Sequence, residues 1–322
     1  MRVYTNPRLE IHSPQNRRTG KFQKSVRTYW PFYVMALPAI LYLIINNYIP
    51  MGGIIIAFKD YNVRKGIWGS PWAGLNNFRY LFMTSDAWVI TRNTIFYNLV
   101  FIVLGTSFSV FISILLGEIV RKSHSKFFQT VVLLPYLISI IIVSYIVYAF
   151  LSMDTGLLNS FLKRAGHSWI LWYAEPKYWP FILTFVHIWK SFGFNTIIYY
   201  ATIVGIDSTY YEAARIDGAS KLQEIFHITL PGLKSTIVIM TILAIGRIFY
   251  SDFGLFYQVP MNSGSLFPTT NVIDTYVYRA LFNMGDYGMS SAASFYQSVI
   301  GFLLVVGANA IVRKIDSENA MF

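Results

Sequence analysis

The 322-residue chain contains no cysteine. Disulfides, zinc–thiolate sites and thiol catalysis are therefore excluded. Charge is scarce as well. Asp, Glu, Lys and Arg make up 13% of the residues, against about a quarter in an ordinary soluble domain. The five histidines, at 12, 124, 167, 187 and 227, have no metal-ligand spacing. A Gly-x4-Gly-Lys phosphate loop is also missing. Gly232-Leu233-Lys234-Ser235-Thr236 has its flavour without its core, so the chain is not expected to bind ATP itself. No HExxH, GxSxG or close carboxylate pair argues for an enzyme.

What the chain has in quantity is apolar surface: 55% hydrophobic residues, 18% aromatic. They come in long blocks rather than in alternation, which predicts an all-α integral membrane protein. Six spans are expected, near Phe32–Phe58, Asn93–Val120, Phe127–Leu151, Trp179–Ile203, Gly232–Ser251 and Ala293–Val312. Each reaches or exceeds the ~20 residues that cross a ~30 Å hydrocarbon core. Pro38, Asn46, Asn47 and Pro50 predict a kinked or split first span.

Formal charge is +11; on a soluble protein this would point to nucleic acid or an acidic partner, but here its placement matters more. Fifteen Lys and Arg fall on one side of the predicted topology and nine on the other, with seven of the fifteen ahead of the first span. That bias predicts both termini in the cytoplasm. The basic start does not read as a cleaved signal, because no small-residue cleavage site follows a short apolar core. The expected organisation is a basic tail over 1–30, a first span over 31–58 and an outer loop over 59–92. A core follows over 93–312, with an inner loop at 207–231 and an outer loop at 252–292, and then a C-terminal tail over 313–322. The outer loops, rich in Gly, Pro, Trp and Tyr, read as folded caps.

The inner loop contains YEAARIDGASKLQEIFHITLP, residues 211–231. Thr209 with Glu212, and Ser220 with Gln223, have the spacing of capping boxes. Two short helices are expected, about Tyr210–Asp217 and Lys221–His227, hinged at Gly218, with Pro231 opening the fifth span. The first presents the small Ala213 and Ala214, the second the apolar Leu222, Ile225 and Phe226. Such a surface suits docking on a soluble partner; an amphipathic loop resting on lipid headgroups is the alternative.

Glu212-Ala213-Ala214, Gly218, Ile228 and Leu230-Pro231 together resemble the EAA loop of bacterial ABC-importer permeases. GLNNFRYLF (74–82), GLLNSFL (156–162), IWKSFGFNTIIY (188–199), DFGLFYQ (252–258), VIDTYVYRALF (272–282) and ASFYQSVIGFLLV (293–305) narrow the likeness. They are similar to the carbohydrate, maltose-type group, in its complex-oligosaccharide branch of lipoprotein- or polygalacturonan-type permeases. The resemblance implies a type I ABC-importer permease fold in the bacterial cytoplasmic (inner) membrane. It implies a heterodimer with a second homologous permease, two cytoplasmic ATPase subunits that carry ATP and Mg, and an extracytoplasmic solute-binding protein that delivers an oligosaccharide. Residues 211–231 would be the coupling helix, with Glu212, Ala213, Ala214, Asp217, Gly218, Leu222, Ile228, Leu230 and Pro231 as coupling residues. Glu212 has a plainer reading as a helix cap, and Gly218 as a turn glycine.

Ionisable groups inside a membrane cost at least ~2.5 kcal/mol on insertion scales and are functional candidates. Lys190 lies in the fourth span with His187, Ser191 and Phe194 on its face. Arg247 lies in the predicted fifth span, at helical spacing with Ala244, Ile248 and Ser251. By register from the EAA loop, both faces match the positions that line the sugar site of maltose-type permeases. Tyr145, Tyr148, Trp189, Phe192, Phe249 and Tyr250 are candidate aromatic faces for a pyranose. Lys190, His187 and Arg247 against Asp252 predict a net positive cavity and an anionic, uronic-acid-containing oligosaccharide. An Arg247–Asp252 ion pair, or a snorkelling Lys190, would weaken that charge argument and favour neutral sugars. The rivals from other classes are a secondary transporter, which would leave the inner loop without use, and a membrane-anchored scaffold or receptor.

Overall fold

The structure, a computed structural model, describes residues 16–315. The tail residues Arg2 and Arg8 and the last seven residues lie outside the described residues. Among the described residues there is no strand, only an isolated bridge between Lys59 and Trp72.

Residues up to Ile54 form one unit and the rest another. The first holds α1, Asn16–Leu43, which continues through a π-turn at Ile44–Tyr48 and a short helix at Ile49–Met51 into a 3-10 turn that starts at Gly52. The expected disruption of the first span thus falls where Asn46 and Asn47 sit. Asn46 Nδ2 donates back to the Tyr42 carbonyl at 3.0 Å.

The second unit is built on α2, Asp86–Gly117, and α3, Lys122–Leu137, which turns by 89° into α4, Ile140–Leu151. It continues with α5, Trp179–Val204; α6, Ser208–Ile216; α7, Lys221–Ile245; α8, Phe253–Gln258; α9, Ile273–Phe282; and α10, Tyr287–Ile315. Among the described residues five helices are long and apolar enough to cross a membrane, or six if α3 and α4 together are one span. The fold is all-helical and multi-spanning.

The spine is the contact of α2 with α5. On α2 the buried positions run Asn93, Tyr97, Phe101, Gly105, Ser109 and Ser113, a four-residue repeat whose small members let the neighbouring backbone come close. Ser109 Oγ donates to the Phe192 carbonyl at 3.3 Å, and Thr196 Oγ1 donates to the Ser109 carbonyl at 3.4 Å. Around the start of α5 Tyr97, Phe101, Val143, Trp179, Leu183, Leu255 and Phe256 share one core. Towards the end of α5 Val110, Tyr199 and Leu233 share another.

Three expectations need correction. The third span is not one helix. Pro135 lies in the last turn of α3, and three and four residues later Ile138 and Ser139 are extended, so the helical hydrogen-bond ladder is interrupted there. The fifth helix starts at Lys221 rather than Gly232, running through a π-turn at Ile225–Thr229, and stops at Ile245 rather than Ser251. Arg247, Ile248 and Ser251 therefore do not extend a helical face from Ala244. The second and sixth helices begin earlier than expected, at Asp86 and Tyr287.

Candidate functional site

Beyond Ile245 the chain turns irregularly to Ser251. Backbone without helical pairing is tolerated at membrane depth where protein or a cavity satisfies it. Asn98 Nδ2 donates to the carbonyls of Ile248, at 3.0 Å, and Tyr250, at 3.2 Å. Gln297 Nε2 donates to the Phe249 carbonyl at 2.8 Å and to Asp274 Oδ2 at 3.1 Å, and Ser251 N–H donates to the same Asp274 oxygen at 2.7 Å. Asp252 caps α8, accepting from Leu255 N–H at 3.1 Å.

This turn forms one wall of a cavity of about 600 Å³ between α2, α5 and α7. Of the residues expected along a substrate path, His187, Ala244, Arg247, Tyr250 and Ser251 line this cavity, together with Asp252. So do Asn98, Phe101, Thr106, Asn195 and Tyr199, which sequence reasoning missed. Their signal was available: Asn98 and Asn195 are amides inside strongly apolar spans, spaced on the faces of Phe101 and His187. The His187 ring stacks on Phe101, with centroids 3.7 Å apart and planes 6° from parallel. Ser251 Oγ is buried without a hydrogen-bond partner. No ion pair joins Arg247 to Asp252 or to another carboxylate among the described residues. The wall thus combines one cation, one anion, two amides and aromatic faces, the groups that orient a hydroxylated ligand.

The remaining candidates lie elsewhere. Lys190 Nζ donates to the carbonyls of Tyr136, at 3.1 Å, and Ile138, at 2.8 Å, at the break between α3 and α4. Phe194 stacks on Tyr136 at 5.0 Å. Ser191 Oγ donates back to the His187 carbonyl at 2.7 Å. Trp189 and Phe192 border an apolar groove on another side of α5. Tyr145 is exposed, and Tyr148 packs on Tyr173 at 5.6 Å. Ile248 and Phe249 are buried. With Lys190 outside the cavity, its charge is more balanced than the sequence predicts, and its lining is richer in amides.

Past the far end of α5, α6 and α7 are joined by a tight turn. Asp207, not Thr209, caps α6, accepting from Thr209 N–H at 3.0 Å; that bond holds the Asp207 carboxyl below the usual carboxylate range. Glu212 makes no capping box there. The second box forms as predicted: Gln223 N–H donates to Ser220 Oγ at 3.4 Å, and Ser220 N–H donates to Gln223 Oε1 at 2.7 Å. Gly218 has φ +81°. Ala219 N–H donates to the Ala214 carbonyl at 2.9 Å and Gly218 N–H to the Arg215 carbonyl at 3.1 Å, so α6 ends in a Schellman motif, which needs a left-handed residue here.

The two helices are clamped from behind. Arg215 and Lys221 both bind the buried Glu224, Lys221 Nζ reaches Glu118 at 2.8 Å at the end of α2, and Tyr211 Oη pairs with Thr229 Oγ1 at 3.0 Å. The Glu224 bond is the main reason the Arg215 pKa is raised. Glu212, Ala213, Asp217, Gly218, Leu222 and Pro231 are exposed, whereas Ala214, Ile228 and Leu230 are half-buried. Ile216 at 86%, Leu222 at 66% and Phe226 at 62% exposure form an apolar surface at this end.

Broken membrane helices around a polar cavity, with a clamped helix–turn–helix running straight into one of them, define a transport permease. The chain matches the family described as the binding-protein-dependent transport system inner membrane component over residues 102–317, and it belongs to that family. It is a multi-pass ABC-transporter permease of the carbohydrate group with the type I fold, a membrane subunit rather than a catalytic one. It is 33% identical over 287 residues, 89% of each chain, to the polygalacturonan/rhamnogalacturonan transport system permease protein YteP of Bacillus subtilis. A chain in the crystal structure of a bacterial ABC transporter involved in the import of the acidic polysaccharide alginate superposes with a TM-score of 0.83. It is 31% identical, over 92% of this chain and 99% of that one. A bacterial alginate ABC transporter in complex with an alginate pentasaccharide-bound periplasmic protein contains a chain with a TM-score of 0.81, also 31% identical, over 91% and 97%.

Proposed function

We propose that this chain forms half of the membrane path of an ATP-driven importer for uronic-acid-containing oligosaccharides. A second, homologous permease supplies the other half, and an extracytoplasmic solute-binding protein delivers the sugar. Two cytoplasmic ATPase subunits, which hold the ATP and Mg, dock on the exposed face of α6 and the start of α7. Both termini then lie in the cytoplasm. Closure of the ATPase pair pulls that face, and because α7 is continuous from Lys221 to Ile245, the pull reaches the cavity wall without a joint other than the π-turn.

The observation that carries the substrate class is Arg247. It lines the cavity at the unwound end of α7 with no carboxylate in ion-pair distance, so it is free to meet the carboxylate of a sugar acid. The acidic polysaccharides named for the relatives agree with this. The amides Asn98 and Asn195 and the anion Asp252 favour a second reading, a neutral oligosaccharide. ATP hydrolysis by the complex reconstituted with its binding protein separates the two. Uronic oligomers should stimulate it in the parent and fail with Arg247→Gln. Stimulation by neutral oligomers alone would leave the importer standing and remove the charge argument.

A further inference from the structure

Lys190 is a cation inside a membrane span that does not line the cavity, and its surroundings say what it does. Between α3 and α4 the extended residues Ile138 and Ser139 interrupt the helical ladder. The break frees carbonyls at the end of α3, each costly to leave bare in an apolar setting. The Lys190 ammonium donates to two of them, Tyr136 O at 3.1 Å and Ile138 O at 2.8 Å. A cation at a helix C-terminus is also favoured by the helix dipole.

The same face of α5 holds α3 at two further points. Gly193 lies so close to the backbone of Val132 that a Cβ would sit 2.0 Å from its carbonyl oxygen. Phe194 stacks on Tyr136, whose ring lies 5.7 Å from the Lys190 ammonium. Beyond the break, α4 belongs to a different neighbourhood. Ile140 packs on Gly254 of α8, and Val143 joins a core with Leu255 and Phe256 of α8 and with Trp179, Leu183 and Val186 in the first half of α5. The two halves of the third span thus rest on different stretches, α3 on the second half of α5 and α4 on α8 and the first half of α5, and Lys190 sits at the junction.

We infer that Lys190 is a positioning residue for transport: a latch that keeps the third span broken and locks its inner half, α3, to α5. Helix α5 leads directly into α6, so α3 travels with the coupling segment and the bend at Ile138–Ser139 takes up the motion against the outer half. The inference rests on the importer reading for its consequence, not for its geometry. It assigns Lys190 no contact with the sugar, although His187, one turn away, lines the cavity.

The test uses the full complex in liposomes and reads oligosaccharide imported per ATP hydrolysed, together with the sugar and binding-protein concentrations for half-maximal stimulation. Lys190→Gln should lower the transport-to-hydrolysis ratio about tenfold while leaving both half-maximal concentrations unchanged. Lys190→Arg, whose guanidinium can donate to both carbonyls, should restore most of the ratio. An unchanged ratio in Lys190→Gln, or a loss explained by a raised half-maximal sugar concentration, overturns the inference.

A second measurement does not depend on the importer reading. The chain lacks cysteine, so spin labels at Thr130→Cys and Ile142→Cys report the distance across the bend without background sites. Lys190→Gln should broaden that distance distribution in the assembled protein, and Lys190→Arg should not. A distribution identical to the parent's overturns the latch. If the parent shows no ATP-driven import at all, the functional reading fails while this arm still decides the latch.

Discussion

The Glu224 carboxylate accepts from Arg215 Nε at 2.8 Å across the Gly218 turn. Its second oxygen accepts from the same guanidinium at 3.3 Å and from Lys221 at 3.1 Å. A buried carboxylate held by two cations fixes the angle between α6 and α7, and with it the face offered to a cytoplasmic partner. Glu224→Gln should leave the membrane core intact and lower import by about tenfold, because the neutral amide loses the charge-assisted bonds to both cations. Glu118→Gln breaks only the exposed link to Lys221 and should stay within about twofold, the scale of a surface pair. Uptake into proteoliposomes checks both; equal losses would contradict the hub role of Glu224.

Gly218 tests backbone and contact separately. Its φ of +81° lies in the left-handed region, while nothing lies within 4 Å of where a Cβ would be. Gly218→Ala should therefore cost about 1–2 kcal/mol of local stability through conformation alone. Gly218→Asn, a residue that visits this region more readily, should cost less. Hydrogen exchange over residues 208–229 reads the difference. Equal exchange in all three proteins would contradict the Schellman assignment.

Acid should loosen the start of α6. The Thr209 N–H holds the Asp207 carboxyl below its usual range, so its contribution is present above the unfolded value of about 3.9 and is lost as pH falls through the lower folded value. Through this carboxyl the start of α6 should be indifferent to pH between about 6 and 8. Asp207→Asn, itself a good cap, should remove any acid sensitivity at this helix end while preserving helicity at neutral pH. Hydrogen exchange of the first turn of α6 across an acid titration checks this.

The approach of α5 to α3 admits no side chain at Gly193. Gly193→Ala places a methyl against the Val132 backbone, where no flexible side chain can yield. Overpacking of this kind costs roughly 1–3 kcal/mol. The solubilised protein should melt at a lower temperature. Gly307→Ala, which meets nothing within 4 Å, is the matched control and should melt like the parent.

Much of this was legible in the chain. Length and apolarity of the blocks gave the spans, and the pairing of Ser220 with Gln223 gave the start of α7, because both signals are local. One miss was local and the rest were non-local. Thr209 and Glu212 have capping-box spacing, yet Asp207 two residues earlier takes the cap. Arg247 and Ser251 have helical spacing with Ala244, yet Asn98, Gln297 and Asp274, from three other segments, hold the chain unwound there. They reach the cavity by that turn rather than by a helical face. Lys190 is conspicuous as an intramembrane cation, but its partners are backbone carbonyls 52 and 54 residues away, which no periodicity records. Pro135 was visible, yet a proline alone does not fix an 89° bend; the Tyr136 and Ile138 carbonyls at the break need the ammonium of another helix.

The most direct measurement is ATP hydrolysis by the assembled transporter in liposomes, with its binding protein and matched uronic and neutral oligosaccharides. The account predicts stimulation by uronic oligomers that Arg247→Gln abolishes and Leu222→Ser with Phe226→Ser uncouples by loosening the ATPase subunits. Hydrolysis indifferent to every sugar, with ATPase subunits that bind the Leu222→Ser, Phe226→Ser protein as firmly as the parent, would contradict it.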